Sequence, residues 1–266
     1  MGTSEAQAQS LPLQDRVAIV TGSSRGIGRD IAFHLSSLGA RIVVNYTSNS
    51  VQADSVVTKI NSDADRHVNL PRAIAVRGDV SDPIHVKTLF DEAERVFNSP
   101  VHILVNSAGV LISTYPSISN TSLEDFDRTF GVNARGAFLC CREAANRLVR
   151  GGGGRIIMLT SSMVAALRPN FGAYAASKAA VEAMIHILAK ELKGTGITAN
   201  CVAPGPIATE MFYAGKTEEQ VKAPILESPL GRLGETKDVA PLVGFLATDS
   251  GEWVNGQVIR VNGGYV

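Results

Sequence analysis

The chain has 266 residues and balances 25 Lys and Arg against 25 Asp and Glu, for a formal net charge of zero. That length suits one α/β domain with a substantial core, and the even charge leaves no basic block to follow a nucleic-acid backbone or an anionic membrane. No apolar run reaches the length that spans a bilayer.

Residues 1–10 are polar, with neither an apolar stretch nor a basic side chain, so they look like neither a secretory signal nor a transit peptide. They predict a disordered lead-in over 1–13, a single domain over 14–266, and a protein of the cytosol. The first apolar run, at 17–20, leads into Thr21-Gly22-Ser23-Ser24-Arg25-Gly26-Ile27-Gly28, and a helical pattern follows through Ile31, Leu35 and Leu38. Strand, glycine turn and helix in that order suit a phosphate, because glycine allows close backbone approach and a helix start offers free N–H groups and a positive dipole end. The spacing Gly22-xxx-Gly26-x-Gly28 nevertheless differs from the dinucleotide fingerprint G-x-G-x-x-G.

Further strand-length runs follow at 41–45, 73–76, 102–105, 155–159, 198–202 and 257–261, separated mostly by longer helical patterns. The alternation predicts an α/β fold: a single doubly wound Rossmann-type domain with a seven-stranded parallel sheet and helices on both faces. Its ligand crevice should lie beyond the carboxyl ends of the strands. Two stretches break the rhythm. Residues 61–72 are polar and end Leu70-Pro71-Arg72, which predicts an exposed loop; Asp63-Ala64-Asp65 within it lacks the glycine and terminal glutamate of a calcium loop. Residues 206–235 mix Met211, Phe212 and Tyr213 with charges, as a lid over the crevice would.

The three cysteines, Cys140, Cys141 and Cys201, suit neither a disulfide framework nor a metal site and read as small packing residues of a reducing compartment. The five histidines, His34, His67, His85, His102 and His186, share no metal-ligand spacing, so no metal is expected. The most informative pair is Tyr174 and Lys178 in Tyr174-Ala175-Ala176-Ser177-Lys178, which four residues of helix place on one face. A phenol ordinarily titrates near pH 10, and an adjacent ammonium lowers that value by favouring the phenolate, so the pair suits proton transfer at neutral pH.

With the glycine turn and the Tyr174–Lys178 pair together, residues 14 to 266 resemble the short-chain dehydrogenase/reductase family, whose marks are Thr-Gly-xxx-Gly-x-Gly and Tyr-xxx-Lys. Between them stand Asn106-Ser107-Ala108-Gly109, similar to the family's Asn-Asn-Ala-Gly, then Asn133, then Thr160-Ser161-Ser162 at a strand end. Ser107 and Asn262 depart from the asparagine and aspartate usual at those places. The resemblance implies an NADPH-dependent carbonyl reductase acting on an aldehyde or ketone, with Tyr174 as general acid, Ser161 holding the carbonyl oxygen, Lys178 anchoring the nicotinamide ribose and Asn133 holding a water that resupplies the proton. Ser162 is the alternative to Ser161. It further implies that NADPH contacts Gly22, Ser24, Arg25, Gly26, Ile27 and Gly28 in the turn; Asn45, Tyr46, Thr47 and Ser48 after the second strand; Asp79 and Val80 after the third; Asn106, Ala108 and Gly109 after the fourth; Tyr174 and Lys178; and Pro204, Gly205, Ile207 and Thr209 after the sixth.

NADPH rather than NADH is expected because no carboxylate stands at 43–50 to receive the free ribose hydroxyls: Tyr46 takes the place where NAD-preferring members carry aspartate, and Arg25 can pair with a phosphate. The stretch looks most like the branch containing polyhydroxynaphthalene reductases and plant NADPH-dependent aldehyde reductase-like proteins. Two other readings stay open, a 3-oxoacyl-carrier-protein reductase and a redox sensor that holds NADPH without turnover. As in the family, the helix starting near Tyr174 is expected to pack against a copy of itself in a homo-oligomer, tetramer or dimer.

Overall fold

Each of the seven β-branched and aliphatic runs forms a strand: β1 (Val17–Thr21), β2 (Arg41–Tyr46), β3 (Ala73–Arg77), β4 (Ile103–Asn106), β5 (Arg155–Leu159), β6 (Thr198–Pro204) and β7 (Val258–Val261). The structure, a computed structural model, describes residues 10–62 and 70–266. The strands pair in parallel in the order β3-β2-β1-β4-β5-β6-β7. β1 is therefore flanked by β2 on one side and β4 on the other, with Val20 opposite Val44 and Thr21 opposite Asn106. The chain winds outward in both directions from that pair, and the switch point opens a crevice at the carboxyl ends of β1 and β4.

Period-two alternation sends successive side chains to opposite faces, and each face has its own core. Val17 and Ile19 pack with Phe90 and Phe97 of α3 (Pro83–Phe97), Cys140 and Ala144 of α5 (Gly136–Arg147), and Val181 and Ile185 of α7 (Gly172–Glu191). Ala18 and Val20 pack with Ile31 and Leu35 of α1 (Gly26–Ser37), Val56 of α2 (Ser50–Ser62) and Val243 of α10 (Thr236–Ala247). Helices on both faces explain why β1, β5 and β6 are buried along their whole length. Cys140, Cys141 and Cys201 are buried among them, and burial pushes the Cys140 thiol up to about 12, so it packs as a protonated apolar group.

At the amino ends of the strands a charged cluster joins distant parts of the chain. The Arg155 guanidinium is fully buried and donates to the carbonyls of Gly154 and Thr248 and to the Asp249 carboxylate at 3.2 Å. Arg16, next to β1, holds the same carboxylate through two bonds of 2.7 Å.

Two boundaries differ from expectation. The lead-in expected over 1–13 does not extend to Leu13, whose side chain is fully buried and whose N–H donates to the Leu38 carbonyl; its residues 1–9 lie outside the described residues. The loop expected over 61–72 starts later, because Asn61 and Ser62 belong to α2. The Asn61 side chain accepts from Arg72 N and Ala73 N and so ties the end of α2 to the start of β3. Residues 63–69, with Asp63, Asp65 and His67, lie outside the described residues.

Candidate active site

The crevice above the strand ends has a volume of about 2350 Å³, against roughly 300–1,000 Å³ for an ordinary small-ligand pocket. It has room for a dinucleotide and a second molecule. Its floor begins at the glycine turn. Gly22 and Gly26 have φ of +61° and +58°, in the region that favours glycine, and a Cβ on Gly22 would stand 2.9 Å from Ala108 Cα. No side chain caps the start of α1 and no acidic residue sits in its first turn. The exposed N–H groups there, with the dipole end, suit a phosphate.

Two residues expected to contact a cofactor, Asn45 and Asn106, also hold this floor together through their side chains. Asn45 is buried: its Nδ2 donates to the Val76 and Gly78 carbonyls, and its Oδ1 accepts from Gly22 N. Both donors are used, and the amide joins the tips of β1, β2 and β3. Asn106 is also buried and lies outside the crevice lining. Its Oδ1 accepts from Thr21 Oγ1, which in turn accepts from Ala108 N. Asn106 thus acts through the turn that carries Ala108 and Gly109. Asp79 lines the crevice with its carboxylate held by Ser81 N and Oγ, while Asp82 takes the cap of α3. Ser24, Ile27, Gly28, Tyr46, Thr47, Ser48 and Val80 line the crevice with them.

The reaction end is assembled from β4, β5 and α7. Tyr174, half-buried, and Lys178, buried, lie in the first turns of α7 and face the crevice, with Lys178 Nζ 6.0 Å from the phenol ring centre. Lys178 Nζ donates to the Leu159 carbonyl at 2.8 Å. Ser161 lies close enough to the Tyr174 phenol to favour its ionised form, and its Oγ accepts from Met163 N at 3.2 Å. Ser162, by contrast, is buried, donates to the Ala203 carbonyl and accepts from Asn262 Nδ2 at 3.1 Å. Of the two serines, Ser161 is the one turned to the phenol. Asn262, one of the departures from the family pattern, fills its place by bonding Ser162, Val266 O and Gly264 N.

Asn133 sits in a single π-turn, Gly131–Arg135, between α4 (Leu123–Phe130) and α5. Such a turn inserts one extra residue and re-aims the side chains around it. Its amide clasps Val110 from both sides, Oδ1 accepting from Val110 N at 2.8 Å and Nδ2 donating to Val110 O at 2.9 Å, and it reaches Ser177 Oγ. One Oδ1 lone pair remains for a water. A Cβ on Gly109 would stand 3.3 Å from Asn133 Oδ1 and 3.4 Å from Lys178 Nζ.

The electrostatics differ from expectation in one respect. Burial pushes the Tyr174 phenol above its ordinary value, with the neighbouring Ser161 pulling back, and burial drags Lys178 down to about 8. Desolvation opposes charge on both groups.

Over the crevice lie α8 (Glu210–Tyr213) and α9 (Glu218–Glu227). The excursion that carries them is pinched at its neck, where Gly234 N donates to Pro206 O and Ala208 N to Gly234 O. Gly205 N donates to Val261 O, so Pro204 and Gly205 continue the sheet up to that neck. Ile207 is buried there, and Thr209 caps α8 by accepting from Phe212 N. Arg25 pairs with Glu210 at 3.0 Å across the crevice mouth, both side chains being largely exposed. Among the described residues no three His, Cys, Asp or Glu side chains come together as a metal site.

A family model described as Enoyl-(Acyl carrier protein) reductase matches residues 22–266. The chain is 68% identical to an NADPH-dependent aldehyde reductase-like protein, chloroplastic, of Arabidopsis thaliana, over 96% of each chain. It is 60% identical to NADPH-dependent aldehyde reductase 2, chloroplastic, of the same plant, over 98% of this chain and 97% of that one. The solved structure of a short chain dehydrogenase from Burkholderia cenocepacia J2315 in complex with NADP superposes with a TM-score of 0.87, at 33% identity, over 96% of this chain and 99% of that one. The chain belongs to the short-chain dehydrogenase/reductase family.

For this member of the family the cytosolic expectation is corrected by the two Arabidopsis relatives, both of which are named as chloroplastic. No described helix is long and apolar enough to cross a membrane. Tyr115, Met163, Phe171, Lys216 and Tyr265 also line the crevice and were not singled out in the sequence. Met163 opens a helix of only four residues and the others come from loops and the chain end, where no periodicity marks a side chain as facing a site.

Proposed function

We propose that the protein is an NADPH-dependent carbonyl reductase that reduces an aldehyde or ketone, with Tyr174, Ser161 and Lys178 as its reaction centre. The observation that carries this reading is the Ser161 side chain beside the Tyr174 phenol in a crevice that also reaches the glycine turn. Bound NADPH supplies a hydride. The uncapped start of α1 and the glycine turn would hold its phosphates, and Tyr46, Thr47, Ser48 and Arg25 its adenosine end, where Arg25 would exchange Glu210 for a ribose phosphate. An exposed pair of that kind contributes little, so the exchange is easy.

At the other end, two hydroxyls aimed at one point suit a carbonyl oxygen, on which negative charge grows as the hydride arrives. Ser161 would donate one hydrogen bond, and Tyr174 would donate the second and then its proton. Lys178, steered by Leu159, would hold ribose hydroxyls and pass a replacement proton toward Tyr174. Asn133 would fix the Val110 loop and offer its remaining lone pair to a water. The excursion over 206–235 would act as a lid above both ligands. The apolar side chains of Phe126, Phe138 and Ile187, exposed on α4, α5 and α7, support a homo-oligomer packed through those helices.

The test is NADPH consumption by the purified protein across aldehydes, ketones, quinones and 3-oxoacyl esters, alongside Tyr174→Phe. Consumption with one carbonyl class, falling by about 10²-fold or more in the variant at unchanged NADPH affinity, is expected. Tight NADPH binding with no consumption by any compound would replace the reductase with a cofactor sensor.

A further inference from the structure

The loop after β4 and the lid meet in an interlock outside the reaction centre. Lys216 Nζ donates to Tyr115 Oη at 2.7 Å and to the Phe212 carbonyl, and Tyr115 Oη donates to the Ala214 carbonyl at 3.0 Å. The ammonium lies 4.7 Å from the Tyr115 ring centre and 4.4 Å from that of Phe212, close enough for both faces to attract it. Gly215 has a φ of +71°, and a Cβ there would stand 1.9 Å from the Ser113 carbonyl oxygen, so the two backbones approach as closely as glycine alone permits. Tyr115 itself is held at a φ of +49°, a conformation that a non-glycine residue keeps only when its surroundings impose it.

The Tyr115 hydroxyl accepts from Lys216 and donates to Ala214, which uses its donor and its main acceptor. What it presents to the crevice is its ring, tilted against Phe171 with centres 5.3 Å apart. Phe212, Met163 and Leu111 line the same end. The wall facing the reaction centre is therefore aromatic and apolar, and its polar fastenings lie in the interlock.

Building on the carbonyl-reductase reading, we propose that Lys216 is a specificity-determining residue that fastens the lid to Tyr115 and so holds this wall against the body of the substrate. The fastened wall favours carbonyl compounds with a bulky apolar body over small ones. A small aldehyde would not reach the rings, and NADPH would be held chiefly by the glycine turn and the end of β2, so neither is expected to depend on the fastening. Lys216 acts through Tyr115 and Phe212 and is a positioning residue.

The experiment compares benzaldehyde with propanal as substrates for the wild type, Lys216→Met, Tyr115→Phe and the double variant. Methionine keeps the apolar stem and removes the ammonium; phenylalanine keeps the ring and removes the hydroxyl. Each single variant is expected to raise KM for benzaldehyde by about tenfold, in the range by which apolar pockets discriminate, while KM for propanal and for NADPH, and kcat for both aldehydes, hold. The double variant is expected to fall short of the product of the two single effects, because both remove the Lys216–Tyr115 bond while each also removes one bond of its own, Lys216 to the Phe212 carbonyl or Tyr115 to the Ala214 carbonyl. Equal effects on the two aldehydes, or multiplying effects in the double variant, would overturn the proposal.

Amide hydrogen exchange over 212–216 provides a readout that needs no turnover. It should quicken in both single variants, and unchanged exchange would overturn the fastening itself. If the wild type consumes NADPH with no carbonyl at all, the functional reading fails, and the exchange result still decides on the fastening.

Discussion

The Lys178 ammonium donates to the main-chain carbonyl of Leu159, the last residue of β5, so the end of a strand aims a side chain carried by α7. The lysine is buried to make that bond, and burial pulls its pKa from 10.5 to about 8. Between those two values the unfolded chain binds a proton that the folded chain gives up, so stability rises with pH across that window. Below about pH 8 the cost is fully present. We expect Lys178→Met to lose this rise: its stability relative to wild type is greatest at pH 7 and shrinks steadily toward pH 10. Urea unfolding at intervals of pH checks it, and parallel curves for the two proteins would show that Lys178 does not titrate in that window.

The two serines after β5 separate cleanly by variant. Ser161→Ala removes the hydroxyl beside Tyr174 and should lower kcat by about 10²-fold, the size of one lost oxyanion donor, with little change in melting temperature. Ser162→Ala strands the Ala203 carbonyl and the Asn262 amide and should cost about 1–3 kcal/mol of stability while leaving most of the turnover. Paired melting and kinetic measurements read both. Equal kinetic losses would remove Ser161 from its assigned place.

Cofactor preference should turn on the end of β2. Tyr46 stands there half-buried with Thr47 and Ser48 beside it, facing the crevice. Tyr46→Asp places a carboxylate where a ribose phosphate is expected, repelling it and receiving free hydroxyls instead. KM for NADPH should rise at least about tenfold, as a desolvated like-charge contact implies, and KM for NADH should fall. Unaltered preference would put the phosphate elsewhere.

Asn133→Ala removes both bonds to Val110 and the bond to Ser177. The stranded Val110 groups should cost about 1–3 kcal/mol, and the loop from Gly109 should loosen enough to raise KM for NADPH. Thermal melting with and without NADPH tests this; a variant as stable as the wild type would mean that water replaces the amide at no cost.

The sheet was legible because seven buried parallel strands leave near-continuous apolar runs in the sequence, and Tyr174, Lys178 and the glycine turn because their chemistry depends on short spacings. What the sequence hid depends on long ones. Nothing local distinguishes Ser161 from Ser162; their difference is made by Ala203 and Asn262, far along the chain. Asn45 and Asn106 carry amides that could equally have met a ligand, and only the neighbouring strand tips show the Asn45 amide engaged and the Asn106 Oδ1 taken by Thr21. The π-turn at Asn133 leaves the helical pattern on either side intact and so gives no sign of itself. The bond between Lys216 and Tyr115 joins the lid to a loop that has no periodic pattern.

Arg155 and Asp249 lie at the rim of the sheet opposite the crevice. The ion cluster they form with Arg16 ties β1, β5 and the segment after α10 together, and none of its members faces a ligand. The strands thus separate two duties along their length, persistence at their beginnings and chemistry at their ends. An engineer could reshape the upper rim for a new carbonyl compound and repair the lost stability at the lower one, and neither change would have to be undone for the other.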